Sequence, residues 1–167
     1  EPYGCRRMLW YEKTGAETDF PINNNEHIRR GQFFEPIVAR LYKKTTHRKL
    51  SKAPVLVDTE FPFIRGMPDR VILTMKDVPS HLLVPGFQRP APLEIKCPSR
   101  RVFMKLRQEG LSEAMILQLQ HYIYLLGASF GSFAIFCAEI AEMIHFDQER
   151  KEEIIRAIRA EAKAFWE

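Results

Sequence analysis

The sequence predicts an α/β protein, a single domain over residues 1–167 with a central mixed β-sheet flanked by α-helices. Three observations carry this reading. Apolar residues recur at helical spacing in long stretches near both ends of the chain, short β-rich runs lie between them, and helices and strands alternate in the order that lets helices cover a sheet. A chain of 167 residues with 46% hydrophobic content is also near single-domain size and large enough for a real core.

Along the chain, residues 5–13 suit a short helix that stops at Gly15, and Asn23-Asn24-Asn25 reads as loop. From 26 to 44, Phe34, Ile37, Val38, Leu41 and Tyr42 follow the i, i+3, i+4, i+7, i+8 stripe of an amphipathic helix. Pro36 removes one backbone donor inside it and is expected to kink the helix or mark a restart. Residues 55–64 and 70–75 read as strands joined by the turn chemistry of Arg65-Gly66-Met67-Pro68, so that Asp69 opens the second. Pro79, Pro85, Pro90 and Pro92 with Gly86 make 77–92 a connector. The central strand is then 93–97, ended by Pro98. Ser112 suits the N-cap of a helix through Leu126 that Gly127 closes. Residues 131–140 and 142–146 are apolar enough for two strands. A last helix, 149–166, puts Ile154, Ile158, Ala162 and Phe165 on one face. There is no internal repeat and no low-complexity tract.

Asp69 and Glu94 are expected at neighbouring strand starts. Residues two apart in a strand share a face, so Glu94 and Lys96 bring a carboxylate and an ammonium to one spot, and Asp69 supplies a second carboxylate. Hard oxygen ligands of this kind hold Mg2+. Such an ion polarises a phosphodiester and activates a water, while a nearby cation steadies the nucleophile and the developing charge. Taken alone, an E-x-K triplet is more simply a solvent-face ion pair. Glu35 lies on the margin of its helix stripe, where a carboxylate looks either into a cleft or into solvent. Gln118 and Gln120 point about 200° apart on a helix and cannot share one role. Both lie at a similar angle from the apolar stripe of Met115, Leu119, Tyr122, Ile123 and Leu126, so periodicity does not choose between them.

Asp69, then Glu94-Ile95-Lys96-Cys97-Pro98-Ser99, then Gln118-Leu119-Gln120 leading to Gly127, resembles the PD-(D/E)XK nuclease superfamily, in particular its phage lambda-exonuclease/YqaJ recombinase branch. Upstream, Arg30-Gly31, Phe34-Glu35-Pro36 and Leu41-Tyr42 resemble the first helix of that branch, and residues 101–107 resemble its segment after the motif. The matches run in the family's order over most of the chain. The resemblance implies a restriction-endonuclease-like fold and a Mg2+-dependent deoxyribonuclease using two ions, with Mn2+ as a substitute. Its implied ligands are Asp69, Glu94, the Ile95 carbonyl and Glu35, with Lys96 orienting or deprotonating the attacking water. Gln118 with Tyr122 fits the Q-x-x-x-Y pattern of RecB-type nucleases; Gln120 with Gly127 fits the lambda/YqaJ pattern and is the preferred neighbour of the metal site. Arg6 and Arg7 lie where relatives place an arginine near the DNA 5′ end. The implied activity is 5′-to-3′ resection of linear duplex DNA in phage-type recombination, with a single-strand-annealing protein as partner and a ring-shaped homo-oligomer as assembly. The alternatives are a structure-specific or single-strand endonuclease of the same superfamily and a non-catalytic module that binds DNA ends.

Charge distribution suits this reading. Lys plus Arg outnumber Asp plus Glu by 25 to 21, which permits a polyanionic partner without requiring one. From 29 to 52, eight bases including Arg30 face the single acid Glu35, and from 96 to 107 the bases Lys96, Arg100, Arg101, Lys105 and Arg107 face none. Two such runs flanking the carboxylates suggest a phosphate track. Cys5, Cys97 and Cys137 are too few and too scattered for an iron-sulfur cluster, and with five dispersed histidines form no zinc pattern. Free thiols in a reducing compartment are expected. Nothing at the N-terminus reads as a signal peptide, and no apolar run approaches the ~20 residues of a membrane helix, so the expected location is the cytoplasm of a bacterial or phage-infected cell. The sequence starts at Glu1 rather than methionine, as expected if native residues precede it.

Overall fold

A computed structural model describes residues 14–15, 26–74, 78–83 and 90–166. In chain order these form helix α1 (Glu26–Thr46), strands β1 (Leu50–Lys52), β2 (Leu56–Val57), β3 (Arg65–Gly66) and β4 (Arg70–Ile72), and a 3-10 turn (Ser80–Leu82). Strand β5 (Ala91–Lys96), helices α2 (Arg100–Glu109) and α3 (Glu113–Leu126), strands β6 (Phe130–Cys137) and β7 (Glu142–Glu149), and helix α4 (Glu152–Trp166) follow. The chain divides into two compact units, Glu1–Arg30 and Gly31–Glu167, and among the described residues every strand lies in the second. The expected helix at 5–13 and loop at 23–25 lie outside the described residues.

Five strands form one sheet in the order β1-β4-β5-β6-β7, with β5 and β6 parallel and every other pair antiparallel. The sheet is therefore mixed, as expected. A parallel pair needs a crossover, and α2 and α3 provide it between β5 and β6. Strand β6 is buried along its whole length. Phe130, Ala134 and Phe136 join Val38, Ala39 and Tyr42 of α1 in one core cluster, while Phe133, Ile135 and Cys137 join Phe103, Leu106, Leu119, Ile123 and Ile155 of the other helices in a second. A strand covered on both faces loses polar alternation, which explains the continuous apolar run there.

The expected caps of α3 are present. Ser112 Oγ accepts the Met115 N–H at 3.4 Å, and Gly127 closes the helix with φ 62°. Several boundaries differ from expectation. Helix α1 runs on through Pro36. The strand expected at 55–64 is broken because Asp58 Oδ1 accepts the N–H groups of Glu60 (2.9 Å) and Phe61 (2.6 Å), folding the segment into a turn. Only the hairpin β2–β3 remains, so Arg65 and Gly66 are strand rather than turn. Strands β6 and β7 end at Cys137 and Glu149, and α4 starts at Glu152. Strand β1 and helix α2 carried no periodic signal long enough to announce them. Among the described residues, no helix is long and apolar enough to cross a membrane.

Candidate active site

Glu94 does not start a strand. It is the fourth residue of β5, which begins at Ala91, and Asp69 immediately precedes β4. Because β4 and β5 are antiparallel with Arg70 opposite Leu93, the beginning of one lies beside the end of the other, which brings the two acids together. Asp69 Oδ2 accepts the Ile95 N–H at 2.7 Å, replacing the backbone rung that β4 no longer supplies there. The turn before Asp69 is pinned from below. Pro68 is fully buried, the His121 ring Nε2 lies 3.1 Å from the Arg65 carbonyl, and a Cβ at Gly66 would sit only 2.7 Å from Tyr122 Cε1. Glycine is thus the residue that lets β3 approach α3 so closely.

Glu94 and Lys96 share a face, as their spacing predicts. Glu94 Oε1 accepts from Lys96 Nζ and from Gln118 Nε2, both at 2.8 Å. Glu94 Oε2 is buried and has no hydrogen-bond partner. One oxygen is therefore saturated by donors that aim the carboxylate, and the other is left open. Burial, reinforced by the Asp69 charge, raises the Glu94 carboxyl above its usual range; Lys96 and the Asp69 backbone N–H oppose this in part. Burial likewise raises Asp69, with Glu35 adding to the effect and the Ile95 N–H, Lys96 and Arg70 offsetting it. A buried and a half-buried carboxylate that repel each other around an open oxygen are a fitting donor set for a hard divalent cation. Among the described residues, no three His, Cys, Asp or Glu side chains converge as a ready-made cage.

The expectation of Glu35 as a further ligand meets an obstacle in Arg70. The Arg70 guanidinium binds Glu35 and also the Asp69 carbonyl, at 2.5 Å, so Glu35 is tied at the edge of the site. Arg70 escaped sequence reading because no pattern links it to Glu35, 35 residues away.

The preference for Gln120 beside the carboxylates is corrected. Gln120 is fully buried, donates to the Glu149 carbonyl at 2.7 Å and accepts the Lys151 N–H at 2.9 Å, so it fastens α3 to the junction of β7 and α4. Gln118 is the glutamine at Glu94. Tyr122, one turn further, hydrogen-bonds with Gln118; burial and the charges of Glu94 and Asp69 raise its hydroxyl above the usual range. The i, i+4 pairing of Gln118 with Tyr122 was the available signal that this face of α3 looks at β5.

Of the residues expected to meet DNA, Arg6 and Arg7 lie outside the described residues, and Arg30 belongs to the first unit. Arg100 and Arg101 are exposed at the start of α2, four and five residues beyond Lys96. Lys105 pairs with Glu109 at 3.7 Å across solvent. Arg48, counted in the basic run, is buried instead. Its Nη1 and Nη2 donate to Asp147 Oδ1 and Oδ2, each at 2.7 Å, and Nη1 also donates to Tyr42 Oη at 2.6 Å.

The curated protein YqaJ of Bacillus subtilis strain 168 is 27% identical over 161 residues, which are 95% of this chain. The chain spans 46% of that relative, just under half its length. Among solved structures, the alkaline exonuclease LHK-Exo from Laribacter hongkongensis has a similar fold, with TM-score 0.67 and 18% identity over 95% of this chain and 73% of its own. Its complex with dAMP gives TM-score 0.71 and 19% identity over 98% and 79%. A phage-related exonuclease from Haemophilus somnus 129PT gives TM-score 0.60 and 18% identity over 96% and 76%. The model of the YqaJ-like viral recombinase domain matches residues 1–129, well over half of the sequence, and the chain belongs to that family.

Proposed function

We propose that this chain is a Mg2+-dependent deoxyribonuclease, a 5′-to-3′ exonuclease that resects linear duplex DNA in phage-type recombination. The observation that carries the reading is Glu94, whose carboxylate is aimed by Lys96 and Gln118 while its second oxygen stays buried and unpartnered beside Asp69. Asp69, Glu94 and the Ile95 carbonyl would hold the metal. A second ion would draw on Glu35, and Mn2+ would substitute for Mg2+. When bound, the ion supplies Lewis-acid polarisation of the phosphate and a more acidic water. Lys96, whose ammonium stands at the carboxylate pair, orients the attacking water and offsets charge on the phosphate. Gln118 keeps Glu94 in place, and Tyr122 closes that side of the site.

Family membership supports the recombination setting, and the exonuclease names of the structural relatives support end-directed cleavage. The family match runs across the boundary at residue 30, which supports reading residues 1–167 as one nuclease domain. A cytoplasmic setting, a single-strand-annealing partner and a ring assembly complete the proposal. The test is digestion of end-labelled linear duplex with Mg2+, with covalently closed circles as control. Linear DNA shortened from its 5′ ends, spared circles, and loss of both metal dependence and cleavage in Glu94→Gln support it. Nicked circles would favour the endonuclease alternative, and DNA bound without product under any divalent metal the non-catalytic one.

A further inference from the structure

The groove holding Asp69 does not stop at the carboxylates. Glu35, Pro36, Lys52, Ala53, Met67, Pro68, Asp69 and Arg70 line a depression of about 420 Å3, and three of these, Pro36, Lys52 and Arg70, also line a second of about 300 Å3. The second runs between α1 and β1, where Arg40, Lys43 and Lys52 are added to Arg70. The shared residues make the two depressions one trough with opposite ends, the acids Glu35 and Asp69 at one and a row of cations at the other.

The cationic end is built by local geometry. Arg40 and Lys43 are three apart on α1, in line with Pro36 one turn earlier, so they stand on one helix face. Lys52 faces them from the short edge strand β1. Arg40, Lys43 and Lys52 are all exposed, and the lining of the cationic end contains no acid; Arg40 Nε donates to the Pro36 carbonyl at 3.4 Å. No Asp or Glu occurs between Glu35 and Asp58 in the sequence. Ordinary solvated faces mix signs. Here three cations converge on a groove whose other end is lined by Glu35 and by Asp69, the acid that neighbours Glu94.

We propose that this trough carries the phosphodiester backbone of the DNA strand up to Asp69, with Arg40, Lys43 and Lys52 contacting successive phosphates. The proposal rests on the nuclease reading and adds to it the path of the bound strand. Arg70 joins the two ends, since one guanidinium both lines the cationic half and ties Glu35 to the Asp69 carbonyl.

Binding in EDTA tests this independently of cleavage. Fluorescence anisotropy of a labelled duplex is measured against salt for the full chain and for Arg40→Gln/Lys43→Gln, with thermal unfolding to verify the fold of the variant. Two lost phosphate contacts should weaken binding about tenfold at low salt and reduce the slope of log K against log salt by roughly 1.8. The loss should be the same for 5′-phosphorylated and 5′-hydroxyl duplex. Unchanged affinity and slope, or absence of DNA binding by the wild type, overturns the proposal. A loss confined to 5′-phosphorylated DNA also overturns it, because the cations would then form a terminal-phosphate pocket. Failure of the nuclease reading is seen separately, as intact DNA in the cleavage assay.

Discussion

Two regions bury charge, and they do so in opposite ways. Beneath α1, Arg48 meets Asp147 through two parallel bonds, with Tyr42 and Ser132 completing the network: Tyr42 Oη donates to Ser132 Oγ at 3.0 Å. Burial alone would raise the Asp147 carboxyl, but the Arg48 bonds outweigh it and hold it below its usual range. On the α3 side, half-buried Asp69 stands beside buried Glu94, both carboxyls are raised, and one oxygen has no partner. The first cluster pairs opposite charges and leaves only a donor, Arg48 Nε, without a partner among its polar groups. The second keeps two like charges close with one cation, Lys96, shared between them, a state that costs stability until a cation arrives. The contrast is therefore one of charge: at Arg48 and Asp147 opposite charges meet through two parallel bonds, whereas at Asp69 and Glu94 two like charges stand beside an unpartnered carboxylate oxygen.

Substitutions at the open cluster should separate the two most strongly. Asp69→Asn or Glu94→Gln is expected to lower the rate on linear duplex about a thousandfold or more, roughly 4 kcal/mol of barrier, while the purified protein remains folded. Lys96→Arg keeps the charge but not the size or the proton chemistry of the ammonium and should lose most activity. Rates near wild type in any of the three would return the cluster to an ordinary ion pair.

The Arg48–Asp147 cluster should respond in stability instead. Asp147→Asn leaves Arg48, 3% exposed, without its acid, and such a loss typically costs ~3–5 kcal/mol. Denaturant unfolding measures this, and the variant that remains folded should still cut DNA. A smaller cost would mean that Tyr42 and solvent satisfy Arg48 by themselves.

The glutamines sharpen the comparison within one helix. Gln118→Ala should reduce cleavage by about ten- to hundredfold, the usual effect of losing a group that orients a metal ligand, with little change in stability. Gln120→Ala should cost ~1–3 kcal/mol of stability by stranding the Glu149 carbonyl and the Lys151 N–H, and leave the rate unchanged. Kinetics and melting of the two variants, compared side by side, check this.

Why one glutamine was misread follows from what sequence periodicity contains. The carboxylates and Lys96 were legible because a strand period of two places Glu94 and Lys96 on one face whatever the rest of the fold does. Likewise the caps Ser112 and Gly127 and the apolar run of β6 are local or nearly local properties. Gln118 and Gln120 sit symmetrically about the apolar stripe of α3, so only the neighbours decide, and these are β5 on one side and the β7–α4 junction on the other. Arg48 read as one more surface base because its partner is 99 residues away. The strand at 55–64 failed for a local reason overlooked in its composition, the Asp58 side chain capping its own turn.

Acid titration gives a finer contrast. Asp147, depressed in the folded protein, contributes stability above its unfolded value near 3.8 and loses it as pH falls through the lower folded value. Asp69 and Glu94, raised in the folded protein, work the other way: stability declines as pH rises from about 3.8 and 4.5 through their folded values. Stability measured from pH 3 to 7 in EDTA should therefore lose part of its acid-side fall in Asp147→Asn and part of its rise-dependent decline in Glu94→Gln. Parallel curves for all three proteins would contradict the assignment.

Thermal unfolding of wild type and Glu94→Gln, each in EDTA and in Mg2+, tests the open cluster most directly. Removal of one of two repelling charges should leave the variant in EDTA at or above the wild-type Tm, at about 2–4 °C per kcal/mol for a chain of this size. Mg2+ should raise the Tm of the wild type and not that of the variant. A variant that melts below wild type in EDTA, or that gains the same stabilisation from Mg2+, would show that Glu94 is a structural acid and that the unpartnered oxygen holds no metal.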